Sequence, residues 1–388
     1  MKKAEELDRL KGMLGRIPDS RDSQGRRHNL VDILFIALVA IVAGADDAEA
    51  IEEFGEANQA WFTQVLGLEH GIPSQDTYLR VFAAMDPSVF QAVFRQWVEQ
   101  EARRTRGEGH VAFDGKTLRR SFDTASGGKA IHMVSAWFSD DGLVLGQRAV
   151  DEKSNEITAI PELLRLLDVR GTTVTIDAMG CQRAIAEQIV DSGAHYILAV
   201  KDNQPKLHEN VAACFADAQR ASRPIDDPAP VVEVATETDA GHGRVEERTC
   251  KLMRDLNWID QREDWKGLDA IAEIRATRTD KASGHTSTES RLYIVSHADA
   301  TAADVLRLVR SHWGIENRLH WVLDMAFDED LSRIRVGHAA KNFAVIRHAA
   351  LNLLRSAPGK KKSLALQRKR CGWDRDYLVT VLAGAKEA

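Results

Sequence analysis

The chain has 388 residues, of which 44% are apolar and 28% charged, the balance of an ordinary soluble globular protein with room for two or three domains. Its net charge of −6 excludes a uniformly basic nucleic-acid-binding surface, so any phosphate contact must come from local patches. Four scattered cysteines with no Cys-x-x-Cys pair exclude a zinc ribbon or a disulfide framework and fit a reducing cytoplasm.

The first residues, MKKAEELDRLKGML, are charged and amphipathic and lack the apolar core of a signal peptide. Residues 16 to 28 form a first basic patch with Arg16, Arg21, Arg26 and Arg27. The most hydrophobic run, ILFIALVAIVAGA, spans residues 33–45, short of the roughly 20 residues a membrane crossing needs. A buried helix and no membrane partner are the expectation. Apolar periodicity near 3.6 continues to about residue 105, so residues 1–106 read as an N-terminal helical domain, with DNA binding as an option.

At residue 110 the pattern changes. HVAFDGK is a short buried strand ending at Asp114, and IHMVSAWFSDDGLVLGQRAV is a hairpin around an Asp-Asp-Gly turn. SNEITAIPELLRLLDV reads as a helix, TTVTIDAMG as a strand ending at Asp177, CQRAIAEQIVDSG as a helix and AHYILAVKD as a strand. Residues 107–220 therefore make a mixed α/β sheet with flanking helices. After the Pro-rich 221–230, residues 221–300 are β-rich and read as an insertion before helical residues 301–358, which carry Glu316. Residues 359–388 open on a second basic patch with Lys360, Lys361, Lys362, Arg368, Lys369 and Arg370.

Asp114 and Asp177 each stand where an apolar strand runs out. An ionised carboxylate there is costly unless a cation or a hydrogen-bond donor meets it. Two readings follow: each Asp caps the following turn, or both emerge at one sheet edge as hard oxygen ligands suited to Mg²⁺ or Mn²⁺. Glu316, flanked by Trp313 and Ile315 on an amphipathic helix, can add a third carboxylate. Three such groups can hold two divalent metals for phosphodiester chemistry. His312, Glu316 and His320 lie four apart and offer a zinc stripe as an alternative, although the drift of about 40° per step on a regular helix works against it. On the metal-cluster reading, His312 and His320 flank the acids and bond the carboxylate or DNA. Asp324 and Asp328 to Asp330 read as a solvated or helix-end cluster, with Asp324 the substitute ligand.

Other residues suggest a DNA channel. Lys116 is placed to touch the scissile phosphate, and Lys201, Asn203 and Gln204 follow a strand end. His242 and Arg244 sit in a glycine-flanked hairpin, and Arg318, Arg333 and Arg335 follow the acid helix. Trp137, Trp258, Trp265, Trp313 and Trp321 read as core.

The segments VAFDGKTLRRS, EKSNEITAIPELL, TIDAMGCQ, YILAVKDNQPKL, GHGRVEER and SHWGIENRLHWVLDMAFDEDLSRIR resemble, in one order, the H-repeat-associated group of DDE insertion-sequence transposases. The resemblance implies an RNase H-like fold in which Asp114, Asp177 and Glu316 surround two Mg²⁺ ions. It also implies a DNA transposase that binds its element's ends, cleaves them and joins them to target duplex DNA, acting as a homodimer. The other reading is an inactive or repurposed DNA-binding descendant. The wider superfamily has Tyr, Arg and Lys at fixed offsets from the Glu, where this chain has Val309, His312 and Leu323, so roles of that trio do not carry over. Arg120 stands where the group more often has a small residue.

Overall fold

A computed structural model describes residues 2–22, 24, 26–102, 109–122, 129–150, 156–220, 230–241, 243–359 and 362–384. The N-terminal part is helical: α1 (Lys2–Leu14), α2 (Leu30–Val42), α3 (Ala48–Ala57), α4 (Gln59–Leu66), α5 (Gln75–Ala84) and α6 (Pro87–Ala102). Asn29 caps α2 by accepting from the Val31 N–H, and almost every residue of α2 is buried. An apolar surface all round is what a central core helix needs, and α2 is covered in part by another such helix, α12 (Ala339–Ser356).

The sheet begins with β1 (His110–Thr117), β2 (His132–Phe138) and β3 (Leu143–Val150). Next come α7 (Glu156–Leu166), β4 (Thr173–Ile176), α8 (Arg183–Asp191), β5 (His195–Val200) and α9 (Pro205–Ala218). Four long strands follow, β6 (Val232–Gly241), β7 (Arg244–Met253), β8 (Ala270–Asp280) and β9 (Thr286–Val295). Among the described residues these nine strands form one sheet in the order β3-β2-β1-β4-β5-β9-β8-β7-β6. β1, β4 and β5 run parallel and all other neighbours are antiparallel. The parts of these strands that pair in parallel are almost wholly buried, as strands covered on both faces must be. The β-rich stretch is continuous with this sheet, because β9 pairs with β5. Its root is buried, while the distal half of the β8–β9 hairpin is exposed.

α10 (Ala302–His312) starts at a capping box of Thr301 and Asp304. It lies on the Thr175 side of β4, whereas Ile160 of α7 approaches the Ile176 side, so side-chain alternation puts these helices on opposite faces. A π turn over Glu316–His320 leads into α11 (Trp321–Ala326). The chain closes with α12, α13 (Leu364–Trp373) and α14 (Arg375–Leu382). Edge strand β3 is protected: the Asn352 side chain accepts from Val144 N–H and donates to Val144 carbonyl O, each at 2.9 Å. Part of the basic C-terminal patch is structural. Arg368 is buried, donates to the carbonyls of Ile41 and Ala45, and stacks over Phe327, which removes it from any DNA-facing role. Lys360 and Lys361 lie outside the described residues.

Candidate active site

β1 is buried as far as Phe113 and emerges at Asp114. Its parallel neighbour β4 ends at Ile176, the register partner of Phe113. Asp114 and Asp177 are therefore the next residues on adjacent chains, which lie about 4.8 Å apart in a sheet. The Asp177 carboxylate caps the short 3₁₀ turn Ala178–Gly180, accepting from Ala178 N–H at 2.7 Å, and Lys201 Nζ lies 3.5 Å from it.

The third acid comes from the chain that follows α10. The sequence periodicity predicts one regular helix through residues 306–325, but α10 stops at His312. The chain then opens into the π turn, in which Trp321 N–H donates to Glu316 carbonyl O. Such wide turns recur at functional sites. This one separates the residues of the sequence stripe. His312 turns inward, and its Nδ1 lies 2.9 Å from Thr175 Oγ1, which is itself 2.7 Å from His110 Nε2. Glu316 and His320 instead meet Asp114, with one ligand atom from each within 4.8 Å of the others. The His312–Glu316–His320 zinc stripe does not form, because the helix it requires is interrupted.

His320 is 3% exposed, and its Nε2 lies 3.2 Å from Asp114 Oδ2 without hydrogen-bond geometry. Burial pushes the His110 imidazole down to about 3, helped by the nearby His312 and Arg307. Burial also lowers His312, against the pull of Asp114 and Asp177. Both rings are thus neutral at pH 7, and the Thr175 hydroxyl can donate to one and accept from the other.

Several expected DNA contacts are committed elsewhere. Lys116 Nζ is inserted between Asp324 Oδ1 at 2.5 Å and Glu329 Oε2 at 2.8 Å, and its side chain is mostly buried. It does not face the phosphate position, and Asp324 is not free to replace Glu316. Residues 328–330 lie just past the end of α11, the helix-end alternative of the expectation, and Glu329, 4% exposed, is not solvated. Burial alone pushes its carboxyl up, but Lys116, Arg347 and His348 together hold it below the usual carboxylate range. Lys116 is driven down by burial and pulled above its ordinary value by Glu329 and Asp324. Asn203 donates to Ala178 carbonyl O at 2.6 Å and Gln204 to Cys181 carbonyl O at 3.0 Å, so both hold the turn after Asp177. Arg244 is exposed at the distal end of the β6–β7 pair, opposite Gly241, and His242 falls outside the described residues. Arg333 and Arg335 line a separate cavity with Asp46 and Asp47, where Arg335 donates to Arg120 carbonyl O at 2.8 Å and stacks over Phe122. Trp137 and Trp265 are core, whereas Trp258, Trp313 and Trp321 are exposed.

The expected contact Arg318 lines a cleft of about 910 Å³ between α10 and the β7–β9 face, and the other arginines there, Arg248, Arg278, Arg291, Arg307 and Arg310, are brought together only by the fold. Arg291 sits 4.7 Å over the Trp313 ring, three residues before Glu316, and beside Asp177 in an adjoining cavity. Most of these arginines have acid partners, such as Glu289 for Arg291 and Glu246 for Arg248. The available signal was weak: Arg307 and Arg310 share a helix face, but the others come from distant strands.

Gly115, between Asp114 and Lys116, leaves room for a side-chain pair beside it. A Cβ there would run into the Glu156 carboxylate and the His132 ring, which pair with each other at 2.8 Å.

The family described as "Transposase DDE domain" matches residues 105–353, and the one described as "DDE_Tnp_1-associated" matches residues 12–98. The chain belongs to the DDE transposase family. It is 40% identical over 373 residues to "Putative transposase YncI" of Escherichia coli O157:H7, covering 96% of this chain and 93% of that protein. It is 38% identical over 384 residues to "H repeat-associated putative transposase YhhI" of Escherichia coli K12, covering 98% and 99%. A short protein of the same strain, "Inactive transposase YbfQ", is 38% identical over 76 residues, 20% of this chain and 90% of its own length. Within the family, these relatives assign the chain to the H-repeat-associated group.

Proposed function

We propose that this chain is an active DNA transposase that binds the ends of its element as double-stranded DNA, cleaves them and transfers the strands to target DNA. Asp114, Asp177 and Glu316 are its acid ligands for divalent metals. The observation that carries this reading is the meeting of Asp114 with Glu316 at the end of the parallel strands, beside Asp177. The order β3-β2-β1-β4-β5, with β2 antiparallel to its neighbours, supports the RNase H-like description.

The residues suit a hard cation. Among the described residues no Lys or Arg pairs with Asp114 or Glu316, and a buried imidazole nitrogen faces Asp114 with no hydrogen bond. Divalent ions, with Mg²⁺ the expected pair and Mn²⁺ a substitute, would activate water or a 3′-hydroxyl and neutralise charge on the phosphodiester. The chain's own part is placement. β1 fixes Asp114 between two strands, the Ala178 N–H orients Asp177, and the π turn sets Glu316. Lys201 and the arginine cleft offer cations to the DNA backbone. Holding two element ends together calls for at least a homodimer on DNA, working in the cytoplasm.

The test uses the purified chain with duplexes bearing the terminal repeats that flank its gene. Asp114→Ala, Asp177→Ala and Glu316→Ala should each abolish divalent-dependent cleavage and strand transfer while leaving end binding nearly intact. Full activity in any one of them rejects that residue. A second reading, a DNA-binding protein that no longer cuts, draws on the relative named as inactive. End binding with no cleavage in Mg²⁺ or Mn²⁺ would favour it.

A further inference from the structure

Four residues past Glu316, the structure presents a feature that three carboxylates do not require. His320 stands at the last position of the π turn, its ring buried and its Nε2 directed at Asp114. A buried imidazole nitrogen left without a hydrogen bond is destabilising, and 3.2 Å from a carboxylate oxygen is close enough for the pair to share a ligand. The π turn is what makes this geometry. It widens the backbone between Glu316 and His320, so both side chains address Asp114 while His312, one turn earlier, is held away by Thr175.

We infer that His320 is a metal ligand, so that Asp114, Glu316 and His320 form a mixed oxygen and nitrogen site that accepts Mg²⁺ but binds Mn²⁺ and other divalent transition cations more tightly. The inference rests on the assignment of Asp114 and Glu316 as metal-binding acids and adds to it the ligand that sets the metal's identity. Mg²⁺ is held by oxygen ligands and dehydrates reluctantly. An imidazole ligand raises affinity for first-row transition ions, in the rising order Mn²⁺, Fe²⁺, Co²⁺. A site with two carboxylates and one imidazole therefore favours Mn²⁺ and its heavier neighbours, and the His320 ring supplies the discrimination.

The probe is Mn²⁺ alone, added to the full-length chain without DNA. Pulsed electron paramagnetic resonance should show ¹⁴N modulation from one coordinated imidazole, replaced by the ¹⁵N pattern when the protein is labelled with ¹⁵N-histidine. His320→Gln should abolish the modulation and weaken Mn²⁺ binding by about tenfold or more in calorimetry, with a much smaller change for Mg²⁺. His312→Gln should keep the modulation. The labelled wild-type protein tests the inference even if a variant fails to fold. Mn²⁺ bound with no nitrogen coupling, or coupling that survives in a folded His320→Gln protein, overturns it. Asp114→Asn separates the two layers. If it abolishes Mn²⁺ binding while the wild type shows no nitrogen, only the His320 assignment fails. If Mn²⁺ binds undiminished in Asp114→Asn, the acid site fails with it.

Discussion

β1 carries two charged clusters two residues apart, and they are built in opposite ways. At Asp114 the chain gathers Glu316 and the His320 ring and, among the described residues, no Lys or Arg. At Lys116 it gathers Asp324 and the buried Glu329 and supplies the cation itself. Both clusters tie β1 to the polypeptide that follows α10. The second, closed by its own ammonium, is a structural clamp, because acids this buried are tolerated only when paired. The first is left open at the sheet edge, the arrangement expected where the balancing charge comes from outside. The clamp also fixes the separation of β1 from α11, and so the approach of the π turn to Asp114.

The largest expected effects test that asymmetry. Asp114→Asn or Glu316→Gln should lower divalent-dependent strand transfer by about 10³-fold or more, the scale of an essential electrostatic group. Folding stability should change by less than about 1 kcal/mol, since no internal partner is stranded. Gel-based transfer assays and urea denaturation on the same preparations check both halves. A stability loss of several kcal/mol would mean that the open cluster is a structural pair after all.

Lys116→Met should behave in the opposite way, with its first effect on folding. It strands Glu329, and breaking one partner of a buried pair typically costs about 3–5 kcal/mol. The pH dependence follows from the shifts. Glu329 is held below its unfolded value, so in the wild type its contribution is present above that value and is lost as pH falls through the lowered one. Lys116 is raised, so its contribution is present below its unfolded value and is lost as pH rises through the raised one. Without Lys116, protonating Glu329 relieves the variant. The stability gap between the two proteins should therefore narrow as pH falls toward and through the lowered wild-type value of Glu329. A gap that widens toward acid would show that Glu329 does not depend on Lys116.

How much of this was legible in the sequence follows from the range of each interaction. Asp114 and Asp177 were readable because an apolar strand ending in Asp is a local signal, and Glu316 because it lies at an apolar boundary inside a recognisable segment. The π turn was not, since a 3.6-residue period describes the segment equally well until tertiary packing adds the extra backbone. His320 therefore read as a neighbour of the acids, bonding the carboxylate or DNA, and not as a ligand within the cluster. Lys116 misled for a related reason: its partners Asp324 and Glu329 are more than 200 residues away. Alternation revealed strands in residues 231–297 but not that β9 would pair with β5, which is a choice of partner and not of conformation.

Behind the open cluster, Thr175 joins His110 and His312 through one hydroxyl. Thr175→Val keeps the shape and removes that link, leaving two buried ring nitrogens unpaired at a cost of about 1–3 kcal/mol. Urea denaturation would measure it. A neutral change would mean that the two histidines find other partners and that the wall behind Asp114 and Asp177 is not set by this chain of bonds.

The smallest effect concerns how far the open cluster's electrostatics extend. Arg291 stacks on Trp313 beside Asp177 and pairs with exposed Glu289, a surface arrangement worth at most about 1 kcal/mol to folding. If the arginine cleft carries the DNA backbone, Arg291→Ala should weaken binding to any duplex by a similar factor. It should also reduce the slope of log affinity against log salt by about one, the signature of one lost phosphate contact. Arg170 is the control: it is exposed, pairs with neighbouring Asp168 and lies outside the cleft, so its replacement by Ala should leave the slope unchanged. An unchanged slope in Arg291→Ala would remove the cleft from the DNA path. The exposed cations near the acids, Lys201 first among them, would then have to carry the phosphates, and the open cluster would end at Asp177.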